Sequence, residues 1–355
     1  MAGLIETLQK YSVQGDLFET LEGSRARCLA CANRCPIEDG TAGFCQMRMN
    51  RGGKLYVPFG YVSGAQCDPV EKKPFFHALP GAIAFSFGML GCNFHCSYCQ
   101  NWMTSQALRD SASVAHVSPA TPDELVSLAR NRGAEIVVST YNEPLITSEW
   151  AAAVFRKAKA AGLMTAYVSN GYGTREVREY LRPCLDLYKV DLKGFNERRY
   201  RLLGGRLQPI LETIRSLHDM GIWVEIVTLL VPGFNDSQEE LAGLTEFICS
   251  VSADIPWHVT AFHKDYRMTA PENTAPADLM RAVDIGRKSG LRYVYAGNLP
   301  GRAGNSENTY CPGCGKLLVE RYGYRILGYD LTPDGRCPSC NLAIPGRWPH
   351  RSPIR

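Results

Sequence analysis

From residue 82 to about residue 301 the hydrophobic pattern switches repeatedly between alternation and a helical period of about 3.6 residues, and this constrains the fold more than any other feature. The first strand-like run is Ala82-Ile83-Ala84-Phe85-Ser86-Phe87-Gly88, and others follow at residues 135–139, 164–168, 185–190, 223–230, 257–262 and 291–295. Helical stretches lie between them. The first has a strong start in Thr121-Pro122-Asp123-Glu124, with Thr as N-cap, Pro in the first turn and Glu three residues on, and Gly133 closes it. The others fall near residues 147–161, 174–181, 208–220, 237–250 and 276–289. Serial βα order predicts an α/β protein with a parallel sheet, an open or nearly closed (β/α) TIM-like barrel. In such barrels the chemistry sits on the loops that follow the strands. Here those loops carry Cys92, Cys96 and Cys99, then Thr140-Tyr141-Asn142-Glu143-Pro144, Ser169-Asn170-Gly171, Asp191-Leu192-Lys193, the run Val231 to Asp236, His263 and Gly297-Asn298.

The loop after the first of these strands reads Gly91-Cys92-Asn93-Phe94-His95-Cys96-Ser97-Tyr98-Cys99-Gln100-Asn101. Three thiolates spaced C-x3-C-x2-C can each hold one iron of a 4Fe–4S cluster, leaving the fourth iron open for chemistry. Four-Cys sites, by contrast, close their metal. The chain carries two of those. Cys28, Cys31, Cys35 and Cys45 form C-x2-C-x3-C-x9-C, which suits structural zinc or a second iron–sulfur cluster. Cys311, Cys314, Cys337 and Cys340 form C-x2-C-x22-C-x2-C with Gly or Pro in each knuckle, a zinc-ribbon signature with a rubredoxin-like iron site as the alternative, and residues 316–330 between the knuckles read as a hairpin. Eleven of the fourteen cysteines fall in these three groups, and Cys67, Cys184 and Cys249 are expected to be inert thiols.

Such clustering in a chain of 355 residues points to metal rather than disulfides. Residues 1–10 lack a basic stretch followed by an apolar one, and no apolar run is long enough to span a bilayer, so the expected setting is cytoplasmic with no membrane contact. The net charge of +4 is too small to indicate nucleic-acid binding, and all of it falls in residues 301–355, with eight basic residues against four acids. The segment Asp68-Pro69-Val70-Glu71-Lys72-Lys73-Pro74 through Gly81 reads as an extended connector whose lysines are a solvated pair. His258 and His263 are read as packing or surface residues.

The triplet with aromatic Tyr98 before its last Cys, placed after a first strand, resembles the radical S-adenosylmethionine (SAM) superfamily. Within it the chain is similar to activating enzymes of glycyl-radical enzymes. It is more closely similar to AmmeMemoRadiSam-system radical SAM enzymes, through Asp68 to Pro74, Gly91-Cys92-Asn93-Phe94, Gln100-Asn101-Trp102, Thr140 to Pro144, Gly297-Asn298 and the flanking cysteine groups. The resemblance implies a radical SAM barrel over residues 82–301, a Cys-rich segment and connector over 1–81, and a zinc ribbon over 302–355. It implies that Cys92, Cys96 and Cys99 hold a 4Fe–4S cluster whose open iron is chelated by SAM. The segment Thr140 to Pro144 stands where relatives place Gly-Gly-Glu-Pro beside the SAM amino group, with Glu143-Pro144 kept and Tyr141 and Asn142 in place of the glycines, so that Thr140, Tyr141, Asn142 and Glu143 are candidate SAM contacts. Tyr98, Ser169, Asn170, Asp191 and Lys193 would complete the SAM site. Implied partners are SAM and an electron donor such as flavodoxin or ferredoxin, while the basic ribbon is a candidate docking surface for a protein partner or, alternatively, a cover for the barrel seam. The expected activity is reductive SAM cleavage that starts radical chemistry, with glycyl-radical activation as the alternative enzyme and a non-catalytic metalloprotein as the alternative class.

Overall fold

The computed structural model describes residues 2–349. Its centre is a sheet of eight strands: β1 Gly64–Pro69, β2 Ile83–Gly88, β3 Ile136–Ser139, β4 Met164–Ser169, β5 Leu187–Asp191, β6 Trp223–Leu230, β7 Trp257–Ala261 and β8 Val294–Gly297. Every strand pairs with its neighbours in chain order. The strands from β2 to β8 run parallel, as in Ile136 opposite Ala84 and Leu187 opposite Trp223. β1 and β8 are the two edges, so the sheet is open rather than closed. Strands β3 and β7 are buried at every residue, because helices cover one face and the interior fills the other.

The connecting helices are α1 Pro122–Asn131, α2 Ser148–Ala160, α3 Arg175–Leu181, α4 Glu197–Leu203, α5 Gln208–Asp219, α6 Gln238–Val251 and α7 Pro276–Lys288. In α1 the expected capping box forms between Thr121 and Glu124, with Pro122 in the first turn. In α5, Ile210, Leu211, Ile214 and Leu217 recur at helical spacing and bury one face. Helix α4 escapes the sequence reading because it is short and arginine-rich; Asn196 caps its start and Gly204, at φ +92°, ends it. No helix among the described residues is long and apolar enough to cross a membrane.

The connector is corrected by the structure. Its first two residues, Asp68 and Pro69, end β1, which is antiparallel to β2 from Gly64 opposite Gly88 to Pro69 opposite Ile83, and Val70–Lys72 is a short 3-10 turn. Val70, Phe75 and Ala78 are buried against Ala84, Ile136 and Val138 of the sheet. Lys72 is exposed as expected, but Lys73 is buried and paired with Asp68 at 2.8 Å, so the two lysines are not one solvated pair. Polar spacing concealed this, since Asp68 and Lys73 neutralise each other only in three dimensions.

The N-terminal segment holds a helix, Ala2–Lys10, and two small antiparallel sheets. Its apolar residues, among them Leu17, Ala30, Leu55 and Val57, belong to the same continuous core as the parallel sheet. A buried ion pair fastens it there: Arg48 makes a two-pronged contact with Glu149 of α2, each at 2.7 Å, and Glu149 also accepts from the Leu17 amide. Burial pushes the Glu149 carboxyl up, but the Arg48 guanidinium outweighs it and the net position is below the usual range.

At the C-terminal end, Leu317–Tyr322 and Arg325–Tyr329 form the expected hairpin, with Thr309–Tyr310 beside it. Leu318, Val319, Leu331 and Ile344 pack with Phe76, Tyr293 and Tyr295. Arg321 is buried and donates to the Phe76 carbonyl, Lys316 pairs with Asp330, and Arg336 pairs with Asp334. These pairs leave the ribbon's net charge unchanged, but the burial of Arg321 and the packing on Phe76, Tyr293 and Tyr295 favour the covering role. Arg351 and Arg355 lie outside the described residues.

Glu149→Ala should cost about 3–5 kcal/mol, because it strands a buried guanidinium, and should loosen the N-terminal segment before the sheet. Denaturant unfolding and hydrogen exchange check this. The pair's contribution should also fade as pH falls through the depressed Glu149 pKa, since protonation removes the charge that Arg48 needs.

Candidate active site

The parallel strands end on one side of the sheet, and a cavity of about 390 Å³ opens there. The loop after β2 enters it through a tight turn. Gly91 has φ +88°, and a Cβ at that position would lie 2.4 Å from Met47 Cγ of the N-terminal segment, so only glycine fits. Cys92, Cys96 and Cys99 then line the cavity. The Phe94 amide donates to Cys92 Sγ at 3.3 Å, and Cys99 Sγ lies 3.1 Å from the Ser105 hydroxyl. Burial, reinforced by the charges of Glu143 and the other two thiols, pushes Cys92 well above the usual thiol range. Cys96 is pushed to about 12 by burial, against the opposing effect of Lys193. Cys92 and Cys96 become thiolates at neutral pH only with a cation to hold them, and the set of three sulfur donors fits an iron–sulfur cluster.

Facing the thiols is a dense polar wall. Glu143 is buried and accepts from the Ser169 hydroxyl at 2.6 Å, the Leu145 amide at 3.1 Å and the Asn170 amide at 2.9 Å. Burial raises its pKa to about 7 even against these donors. Tyr188 donates to Ser169 at 2.9 Å, and Asn170 donates to Asn93 Oδ1 at 2.7 Å, which ties the ends of β3 and β4 to the cysteine loop. Asp191 contacts Lys189 and lies 3.7 Å from Lys193. Burial alone would raise Asp191, but the two ammonium groups bring it below the usual carboxylate range.

Tyr141 occupies one of the replaced glycine positions and keeps a glycine-like φ of +71°. Space for it comes from Gly88, where a Cβ would lie 2.6 Å from the Thr140 carbonyl oxygen and 2.9 Å from Tyr141 Cβ. Its hydroxyl accepts from Lys73 at 3.1 Å, and Lys73 Nζ sits 4.8 Å from the ring centroid. Asn142 turns inward, accepting from the Met89 amide at 3.0 Å. Tyr98 is buried with its ring 5.7 Å from that of Phe234.

The cavity is lined by every residue assigned to the cluster or to SAM, Cys92, Cys96, Tyr98, Cys99, Thr140, Tyr141, Asn142, Glu143, Ser169, Asn170, Asp191 and Lys193, and by Asn298, but not by Gly171, the run Val231 to Asp236 or Gly297. It is also lined by Lys189, Lys73, Thr260 and Tyr324, which sequence reading missed. Lys189 had a usable signal: it stands two residues before Asp191 in an otherwise apolar strand and so shares its face. Tyr324, at the tip of the ribbon hairpin, had none. Its presence means that the ribbon contributes to the cavity instead of standing apart from it. His263 lies 3.0 Å from Gln100 of the cavity lining, while His258 is buried against Glu225 at 2.7 Å and is not part of the lining.

The other cysteine groups differ in spacing. The sulfurs of Cys311, Cys314, Cys337 and Cys340 all lie within 4.8 Å of one another, the one such set of three or more metal-ligating groups among the described residues. This is the tight arrangement a single tetrahedral ion requires. Neither the triplet nor Cys28, Cys31, Cys35 and Cys45 is drawn together in that way.

A parallel α/β sheet with three thiols and both signs of charge at its carboxyl edge defines a class of cofactor-using proteins. Residues 88–245 match the model of the Radical SAM superfamily. An uncharacterised protein of Methanocaldococcus jannaschii is 36% identical over 331 residues, covering 92% of this chain and 97% of that protein. The pyruvate formate-lyase-activating enzyme of Staphylococcus epidermidis is 28% identical over 229 residues, 59% of this chain and 88% of that one. Among solved structures, a radical SAM methyltransferase from Sphaerobacter thermophilus superimposes with a TM-score of 0.48 at 17% identity, covering 67% of this chain and 71% of that one. A domain of pyruvate-formate lyase-activating enzyme from Bacteroides vulgatus gives 0.39 at 18% identity, covering 46% and 98% respectively. The chain belongs to the radical SAM superfamily and is related to glycyl-radical activating enzymes.

Gly91→Ala should cost about 2–4 kcal/mol, combining a left-handed backbone penalty with a clash against Met47. A drop in denaturation midpoint, together with weaker iron retention after reconstitution, is the expected result.

Proposed function

We propose that the protein cleaves SAM reductively at a 4Fe–4S cluster held by Cys92, Cys96 and Cys99, and so starts radical chemistry on a further substrate. The observation that carries this reading is the convergence of three thiols with a wall of both charge signs on one cavity, in a chain of this superfamily. When bound, the reduced cluster supplies one electron to the SAM sulfonium, yielding methionine and a 5′-deoxyadenosyl radical. The chain's own residues bind and orient. Glu143, held rigid by Ser169 and the Asn170 amide, is placed for an ammonium group; Lys193, with Asp191 beside it, is placed for a carboxylate or ribose. Tyr98, Thr140, Tyr141 and Asn142 shape the wall between, and the buried setting excludes water from a reactive radical.

We further propose three working units, residues 1–81, 82–301 and 302–355, with β1 lent by the first to the sheet of the second. The ribbon cysteines would hold one zinc, and an electron donor of the flavodoxin or ferredoxin type would supply the reducing equivalent. All fourteen cysteines are free thiols, which suits a reducing, cytoplasmic setting. Of the enzyme types that this class contains, the AmmeMemoRadiSam-system enzymes are the first reading, on the motifs Asp68 to Pro74, Gly91 to Phe94 and Thr140 to Pro144, whereas the activating-enzyme match extends over 59% of this chain. Glycyl-radical activation is the second reading, supported by that same match.

After anaerobic reconstitution and strong reduction, the protein should release 5′-deoxyadenosine from SAM, and Cys92→Ala, Cys96→Ala or Cys99→Ala should each abolish release. Undiminished cleavage in all three variants would end this reading. SAM affinity should rise as pH increases through about 7, where Glu143 ionises, and Glu143→Gln should flatten that dependence. Calorimetric titration across the range measures both.

A further inference from the structure

We propose that Cys28, Cys31, Cys35 and Cys45 hold a second, closed 4Fe–4S cluster, and that it relays single electrons to the cluster site at Cys92. The ribbon provides an internal standard for zinc. Its sulfurs pair at 3.5 and 3.6 Å, close to the separation of about 3.8 Å that four bonds of 2.3 Å to one ion produce. No three of the N-terminal sulfurs come within 4.8 Å of one another. They still converge: the Cys28 amide donates to the Cys35 carbonyl at 3.0 Å, and the Phe44 amide, one residue before Cys45, donates to Cys35 Sγ at 3.4 Å. Sulfurs that bind different irons of a cubane stand farther apart than sulfurs on one ion, and the open triplet likewise forms no set within 4.8 Å.

The surroundings also match those of the triplet. The Phe44 amide donates to Cys35 Sγ at 3.4 Å, as the Phe94 amide does to Cys92. Hydrogen bonds to sulfur of this kind tune iron–sulfur clusters. Gly43 leaves open the space beside Cys35, where a Cβ would come within 3.5 Å of the sulfur. The two loops are held side by side: Arg109 donates to the Phe44 carbonyl at 2.6 Å and to the Phe94 carbonyl at 2.9 Å, and the Phe44 and His95 rings lie 5.9 Å apart. Cys35 is only half-buried and Phe44 is exposed, which brings the outer edge of the group to the surface where a donor protein can reach it.

In the relay, an external low-potential one-electron donor of the ferredoxin or flavodoxin type reduces the N-terminal cluster by one electron, and that electron passes inward, leaving the N-terminal cluster reoxidised. The relay rests on the function proposed for Cys92; the presence of the second cluster does not, so the two can fail separately. The test uses the full chain with Cys92, Cys96 and Cys99 all changed to Ala, reconstituted anaerobically with iron and sulfide. The expected result is about four irons and four sulfides per chain, against about eight in the wild type, with a reduced-state paramagnetic signal that SAM does not perturb. A Cys28→Ser, Cys31→Ser variant should lose that signal, keep the SAM-responsive one, and lose reduction of the remaining cluster by a ferredoxin-type donor while dithionite still reduces it. Two zinc ions per chain with no iron in the triple variant would overturn the proposal. So would about four irons in a wild type whose whole signal responds to SAM, a measurement that does not depend on any variant folding. Donor reduction unchanged in the Cys28→Ser, Cys31→Ser variant would overturn the relay.

Discussion

The site depends on a close approach between two stretches of chain, the turn at Gly91 and the N-terminal segment at Met47. At 2.4 Å a Cβ would occupy the volume of Met47 Cγ, so the absence of a side chain at residue 91 sets how deeply the cysteine loop can seat. The same economy recurs at the end of β2, where Gly88 leaves room for the Thr140 carbonyl and for Tyr141. The site keeps its tightness although Tyr141 and Asn142 replace residues that could approach a ligand more closely, and the left-handed backbone of Tyr141 is held by its contacts with Lys73 and Asp68.

Buried charge is spent here in compensated groups. Arg48 with Glu149, Lys73 with Asp68, and Lys189 and Lys193 around Asp191 each set opposite charges against burial. Glu143 stands apart, with hydrogen-bond donors but no neutralising cation, and its pKa is correspondingly raised. A buried carboxylate that lacks a counter-ion is the natural receiver of a cationic ligand group.

A different polar cluster holds the outer layers together. Glu225 accepts from the Phe76 and His77 amides and contacts His258, while His77 bridges Tyr295 and the Pro345 carbonyl. Burial holds His77 down to about 4, keeping it neutral. With Arg321 donating to Phe76, this cluster joins connector, sheet and ribbon, and so fixes the hairpin that carries Tyr324 to the cavity.

The order of elements from residue 83 onward was legible because period, caps and glycine stops are local properties, as the Thr121–Glu124 box illustrates. The strand-end residues were legible for a related reason: in a parallel sheet the direction of the chain decides which loops share an edge. The three cysteine groups were legible as ligand sets, but the separations of their sulfurs were not, since spacing along the chain does not specify spacing in space. Three other features needed the tertiary structure. Residues 64–69 became an edge strand because β2 exposed an unpaired ladder for them; Lys73 was buried because Asp68 lay opposite; and Tyr324 reached the cavity because a distant hairpin was docked by Arg321 and His77. What the sequence determined by itself was therefore the repeating architecture and the chemistry available at its open edge. Which groups meet across that edge was decided only by packing, because contacts between residues hundreds of positions apart leave no periodic trace in the chain.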